Sequence, residues 1–490
     1  MRPLRGNRSC APIDGGPAGR DRLFDWGLSL RLPAHLLLSL TLIACAGQLP
    51  TPIATDAPPA PSAAAADDRL PLTVFYDLLE EGPKARAALA RIASDWDDAY
   101  ASMLLDLIYF STSPEIDAAM TELLGKAAGL DPANGYDQFY RWIWSTDPGT
   151  HPRFAEFRAT LYADIDPAFG AYFEDTPQAT IRLDEILWGG VNQDGIPPLD
   201  HPKTIPAAAA DFLDDDNRVF GVFIDGEARA YPKRILAWHE LVRDRVGGRE
   251  ITGVYCTLCG AMILYDSRVE GVRHELGTSG FLYRSNKLIY DRATSSLWST
   301  LTGEPVVGSL VGRGIALVTL PVVTSTWGEW RRRHPDTRVL SLDTGRERDY
   351  SEGAAYQEYF ATDRLMFAVP ELDRRLPNKA GVLALRYDGE PLAIAADYLA
   401  RRPVHHDRLG ATDFVVLTDP SGANRVFDTQ GRRFTRWDGV DTAVDVDRGV
   451  WQVTEGALES GQGQRLQRLP AHRSFWFGWY AQFPHTRLVK

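Results

Sequence analysis

Part of this 490-residue chain is written twice, and no other feature restricts its fold as much. Residues 225–247 align with 388–410 without a gap, and nine of the 23 positions are identical. Chance at ordinary composition gives about one or two. Downstream, Leu320, Pro321, Trp327, Trp330, Pro335, Thr337 and Arg338 recur in order as Leu469, Pro470, Trp476, Trp479, Pro484, Thr486 and Arg487. Two independent blocks in one order predict a duplicated unit, with copies within 180–345 and 360–490.

From residue 180 onward, glycines, turn residues and short apolar runs dominate. Residues 219–224 read as a strand, Asp225-Gly226 as a hairpin turn and 228–231 as the returning strand. Pro232 opens a short helix that puts Ile235 and His239 on one face. Val246-Gly247-Gly248 turns the chain into a strand ending at Cys256, and strand-like residues resume at Met262. Each copy is expected to be mainly antiparallel β with short helices. Residues 70–178 differ. Leu89, Ile92, Trp96, Tyr100, Met103, Leu104 and Leu107 keep helical spacing. Ser113-Pro114 caps and opens a second helix, and Tyr136, Phe139, Tyr140, Ile143 and Trp144 form a third stripe. They read as helical hairpins of the HEAT type. The predicted fold is multidomain α+β: a helical domain followed by two tandem β domains.

Residues 36–44 are a short apolar run behind Arg20, Arg22 and Arg31, too short to span a membrane. The run ends Leu42-Ile43-Ala44-Cys45, which resembles a bacterial lipoprotein box. Residues 1–44 are expected to be a signal peptide, with Cys45 lipidated and 45–69, rich in Ala and Pro, a disordered tether. The first twenty residues are poor leader material, and a downstream start is expected. Losing 1–44, with six Arg and three Asp, moves the formal charge from −12 to −15. Such an acidic chain with no basic stripe is a poor nucleic-acid binder. The expected location is the cell envelope, lipid-anchored on the periplasmic or extracellular side. The expected partners are the membrane, through the lipid, and a small molecule or envelope protein.

The copies differ where chemistry sits. His239 falls on Arg402. With one residue deleted, Cys256 falls on Thr418, Cys259 on Ser421 and Gly260 on Gly422. Thiols that only braced the fold would leave the second copy needing a brace too, which favours a functional role in the first.

Gln193-Asp194-Gly195-Ile196-Pro197, Gly226-Glu227-Ala228-Arg229-Ala230-Tyr231-Pro232, Trp238-His239-Glu240, Tyr255-Cys256-Thr257-Leu258-Cys259-Gly260, Ser279-Gly280-Phe281-Leu282-Tyr283, Ser285-Asn286 and Tyr290-Asp291-Arg292 occur in that order. Together they resemble the prokaryotic family named domain of unknown function 3179, best over about 185–345. That family usually has Pro where this chain has Thr257. The resemblance implies a domain and no reaction.

Three readings of the cysteine turn stay open. In the first, Cys256, Cys259 and His239, with His274 as a fourth ligand, hold zinc or copper. In the second, the pair cycles between dithiol and disulfide as an oxidoreductase. In the third, a structural disulfide pins a hairpin in a non-catalytic binding protein. Trp238, Glu240, Ser279, Tyr283, Asn286, Tyr290 and Asp291 are expected to line a pocket beside the turn. No Ser-x-x-Lys, nucleophile elbow, phosphate loop or dinucleotide fingerprint occurs, so no nucleotide cofactor is expected.

Overall fold

The structure is a computed structural model that describes residues 69–174 and 178–490. The expected leader, most of the expected tether and Cys45, where lipidation is expected, lie outside the described residues. Among those described, no helix is long and apolar enough to cross a membrane.

The N-terminal region is helical. Helix α1 spans Pro83–Ser94 and α2 spans Ala101–Phe110. The stripe over 89–107 is therefore not one helix. It breaks at Asp97, whose side chain accepts the Ala99 N–H at 2.9 Å and caps a new turn. Ser113 caps α3, Pro114–Ala128, by accepting the Ile116 N–H at 3.4 Å. Asp137–Thr146 (α4), Phe154–Ala163 (α5) and Pro167–Phe173 (α6) follow. One core, including Phe75, Leu104, Met120, Phe139 and Ile143, joins α1 to α5. Buried Arg158 grips Asp106 through two bonds, at 2.7 and 2.9 Å, and donates to the Ile186 carbonyl at 2.7 Å. That ties the helices to the strand Ile186–Trp188.

The rest is largely antiparallel β. The hairpin read from Asp225-Gly226 forms between β1, Arg218–Ile224, and β2, Glu227–Pro232. Helix α7, Lys233–His239, follows. Next come β3, Leu241–Val246; β4, Arg249–Cys256; and β5, Ala261–Asp266. Strands β6, Leu276–Tyr283, and β7, Asn286–Asp291, form a hairpin within a separate five-stranded sheet. Phe281 of that sheet packs on Tyr162, Phe169 and Phe173 of the helices. The first half closes with β8, Val323–Thr326; α8, Trp327–Arg333; and β9, Arg338–Leu340.

The second half follows a similar order at its start and end, but four further strands, Phe434–Trp437, Thr442–Asp445, Val450–Val453 and Ala457–Ser460, stand between and join an eight-stranded sheet where the first half has the β6–β7 sheet. It has β10, Gly381–Tyr387; β11, Glu390–Ala395; α9, Ala396–Arg401; β12, Val404–Leu409; β13, Thr412–Thr418; and β14, Asn424–Asp428. It ends with β15, Arg465–Leu469; β16, His472–Phe475; α10, Trp476–Gln482; and β17, Arg487–Val489. One sheet runs β8-β1-β2-β9 with Thr204–Pro206 added at its β9 edge, and its four-stranded counterpart runs β16-β10-β11-β17. In the parallel pair Arg338 faces Arg229, and Arg487 faces Leu392. The Trp330 indole donates to Thr337 Oγ1 at 3.0 Å, and Trp479 to Thr486 Oγ1 at 2.9 Å.

The two halves are not beads on a string. One core holds Cys256, Cys259 and Trp298 from the first half with Val382, Trp476 and Trp479 from the second.

Candidate functional site

The site is organised around Glu240. Helix α7 ends at His239, and Glu240 caps it in the left-handed region at φ 57°. Glu240 is 2 % exposed. Oε1 accepts the Thr257 hydroxyl at 2.6 Å and the Tyr356 hydroxyl at 3.0 Å. Oε2 pairs with the Lys287 ammonium. Three distant segments thus meet one carboxylate: the cysteine turn, β7 and the connection between the halves. Burying a lone charge costs several kcal/mol, about 3–5 when a partner is removed, so all these contacts are needed together.

Cys256 ends β4, and Cys259 closes the turn before β5. They are disulfide-bonded, with Cα atoms 5.4 Å apart, inside the range such a bond requires. Their environments differ. The second half seals Cys259: the Phe475 N–H donates to its carbonyl at 2.7 Å. Helix α10 passes so close that a Cβ on Gly478 would lie 3.0 Å from the Cys259 Cβ. Cys256 instead lines a cavity of about 40 Å3 that also reaches Thr257, Glu240, Lys287 and Tyr356. Its apolar wall includes Val191, Ile196, Phe281, Leu282, Met366 and Phe367.

The expected metal centre does not assemble. The His239 Nδ1 is 2.9 Å from the Pro197 carbonyl, which can only accept, so Nδ1 carries the proton. Nε2 then accepts the Tyr350 hydroxyl at 2.6 Å. Both ring nitrogens are occupied, and burial pushes this imidazole down to about pKa 4. His274 is held through Nδ1 by Asp291 Oδ2 at 2.9 Å and sits beside Trp298. The sulfurs of Cys256 and Cys259 are bonded to each other. Among the described residues no three His, Cys, Asp or Glu gather as a metal-holding group.

Of the residues expected around the pocket, Glu240 lines the cavity. The others are engaged elsewhere. Trp238 donates to the Asp349 carbonyl at 2.7 Å, and Ser279 to the Leu288 carbonyl at 2.6 Å. Asn286 donates to the Gly478 carbonyl at 2.9 Å, and Tyr290 to Asp194 at 2.7 Å. Asp291 Oδ1 accepts the N–H groups of Ala293 and Thr294, each at 3.0 Å. The Tyr283 ring sits under the Arg284 guanidinium at 5.1 Å. Sequence reasoning missed Lys287, Thr257 and Tyr356 as site residues. A lysine amid Asn286, Leu288 and Ile289 was a visible oddity in a strand. Tyr356 carried no local signal.

The second half closes the turn that aligns with the cysteine turn without sulfur. Asp419, at the position of Thr257, accepts from Ser421 N at 2.9 Å, Ser421 Oγ at 2.6 Å and Ala423 N at 3.0 Å. Its other oxygen takes fully buried Arg425 at 2.9 Å. That turn is therefore braced, and the lack of cysteines there does not by itself favour chemistry in the first half.

A family model described as protein of unknown function (DUF3179) matches residues 193–486. No curated protein and no solved structure matches the chain.

Proposed function

The chain belongs to the DUF3179 family, and from that premise we propose that it is a lipid-anchored cell-envelope protein that carries out thiol–disulfide exchange at Cys256–Cys259. The observation that carries this reading is the asymmetry of the pair. Cys256 opens on a cavity that holds a buried ion pair, while Cys259 is sealed under α10. An attacking thiolate reaches Cys256, and Cys259 leaves. The Lys287 ammonium lies in the cavity that Cys256 lines, so positive charge stands on the side where the second exchange step frees the Cys256 thiolate. Glu240 holds that ammonium, and Thr257 couples the carboxylate to the turn itself. A hairpin brace alone needs no buried charge pair beside it.

A second reading has its own support. Cys256 and Cys259 are 2 % and 0 % exposed, and the other copy closes the same turn with Asp419. On that reading the disulfide is a brace in a small-molecule binding protein. The midpoint potential separates the two. Trapping of free thiols in defined redox buffers is expected to give a value above roughly −300 mV, where exchangeable disulfides lie. A lower value supports the brace.

The matched strand orders and registers support descent of both halves from one duplicated unit. The first copy keeps the exchange site, and the second serves as its cover. The helical region, read as HEAT-like hairpins, serves as an interaction surface. The envelope location rests on the leader and on Cys45.

A further inference from the structure

We infer that the segment connecting the two halves restricts the exchange site to small aliphatic monothiols and excludes peptide-sized and protein thiols. This inference rests on the exchange reading above. Residues 349–367 supply Tyr356, Met366 and Phe367 to the cavity lining and are fastened at four points. The Asp349 carbonyl accepts from Trp238 at 2.7 Å. The Tyr350 hydroxyl donates to His239 at 2.6 Å, and Tyr356 to Glu240 at 3.0 Å. The Tyr359 hydroxyl donates to the Leu258 carbonyl, inside the cysteine turn, at 2.8 Å. Beyond these fastenings, Met366 and Phe367 complete the cavity wall. Phe367 also packs against the helical core as well as the core around the disulfide, so it is held from both sides.

The remaining space is about 40 Å3, which holds roughly three water molecules at about 10–15 Å3 each. A chain of about three heavy atoms ending in sulfur fills such a space. A cysteinyl side chain puts only one carbon between its sulfur and a peptide backbone. For that sulfur to reach Cys256, the backbone must enter the cavity, and Met366 and Phe367 stand in its way.

The chemistry balances with the thiol as the reductant. A thiolate RS⁻ attacks Cys256 Sγ, the bond to Cys259 breaks, and Cys259 leaves as a thiolate. A second RS⁻ attacks the sulfur of R in the mixed disulfide, releasing RSSR and the Cys256 thiolate. Two RSH are oxidised to one RSSR, and their two protons end on the two cysteines.

The test uses the full oxidised chain with 2-mercaptoethanol, glutathione and a reduced dithiol protein, compared at equal thiolate concentrations. Free-thiol release is followed in time. The wild type is expected to react with 2-mercaptoethanol faster than with glutathione by roughly tenfold or more, a barrier difference of about 1.4 kcal/mol, and more slowly still with the protein. Phe367→Ala and Met366→Ala, each checked for folding by thermal melting, are expected to narrow the first ratio to about threefold or less. Met366→Ala decides alone if Phe367→Ala does not fold. Equal wild-type rates for 2-mercaptoethanol and glutathione, or ratios unmoved in a folded variant, overturn the inference. If no thiol reduces the native chain while all reduce it in urea, the exchange reading fails first, and the strap inference falls with it.

Discussion

The hydroxyl of Thr257 donates to Glu240 at 2.6 Å, joining the residue between the two cysteines to a carboxylate 17 positions earlier. The bond is buried and its acceptor is paired with Lys287. Thr257→Val leaves the carboxylate short of a donor and is expected to cost about 1.5–3 kcal/mol, the range for a hydrogen bond to a charged group. Thr257→Ser is expected to retain most of it. Urea unfolding of both variants checks the difference, and equal losses would refute it.

The Glu240–Lys287 pair is expected to behave as a unit. Glu240→Gln strands an ammonium in the interior and is expected to destabilise by about 3–5 kcal/mol. Glu240→Gln combined with Lys287→Met is expected to lose less than Glu240→Gln alone. A double-mutant cycle by chemical denaturation gives the coupling. Simple additivity would show that the two charges are independent.

His239 makes stability depend on pH. Burial holds its folded pKa down at about 4, while an unfolded histidine titrates near 6.5. Between those values the unfolded chain binds the extra proton. Its contribution is therefore fully present above about pH 6.5 and is lost as pH falls towards 4. The full difference is on the order of 3 kcal/mol. His239→Gln is expected to flatten this part of the stability profile, measured by denaturation at pH 7, 5.5 and 4.

Gly260 tests the contact between halves. It sits at φ +61°, and a Cβ there would come within 3.0 Å of the Phe475 ring. Gly422 in the second turn has φ +83°, but its nearest neighbour is 3.7 Å away. Both Gly→Ala changes carry the left-handed penalty of about 1–2 kcal/mol. Only Gly260→Ala adds overpacking, typically about 1–3 kcal/mol more. Thermal melting of the two variants is expected to show the larger drop at Gly260.

Much of the local structure could be read directly. The Asp225-Gly226 hairpin, the Ser113 cap and the short helix ending at His239 follow from turn chemistry, capping and spacing, which act over a few residues. The long stripe over 89–107 misled because periodicity alone does not register a cap such as Asp97. The ligand set expected for a metal is not gathered in the structure, for another reason. Spacing placed His239 near the cysteines in sequence, but Pro197 and Tyr350 claim both its nitrogens.

The chain's order of residues determined the helical region, the β hairpins and turns that follow it and the cysteine pair, because those depend on neighbours in sequence. Only the tertiary structure decided that Glu240, Thr257, Lys287 and Tyr356 share one cavity, and that the second half covers Cys259. Those partners lie tens to hundreds of positions apart. Their meeting depends on how sheets and cores pack, and no local pattern encodes that.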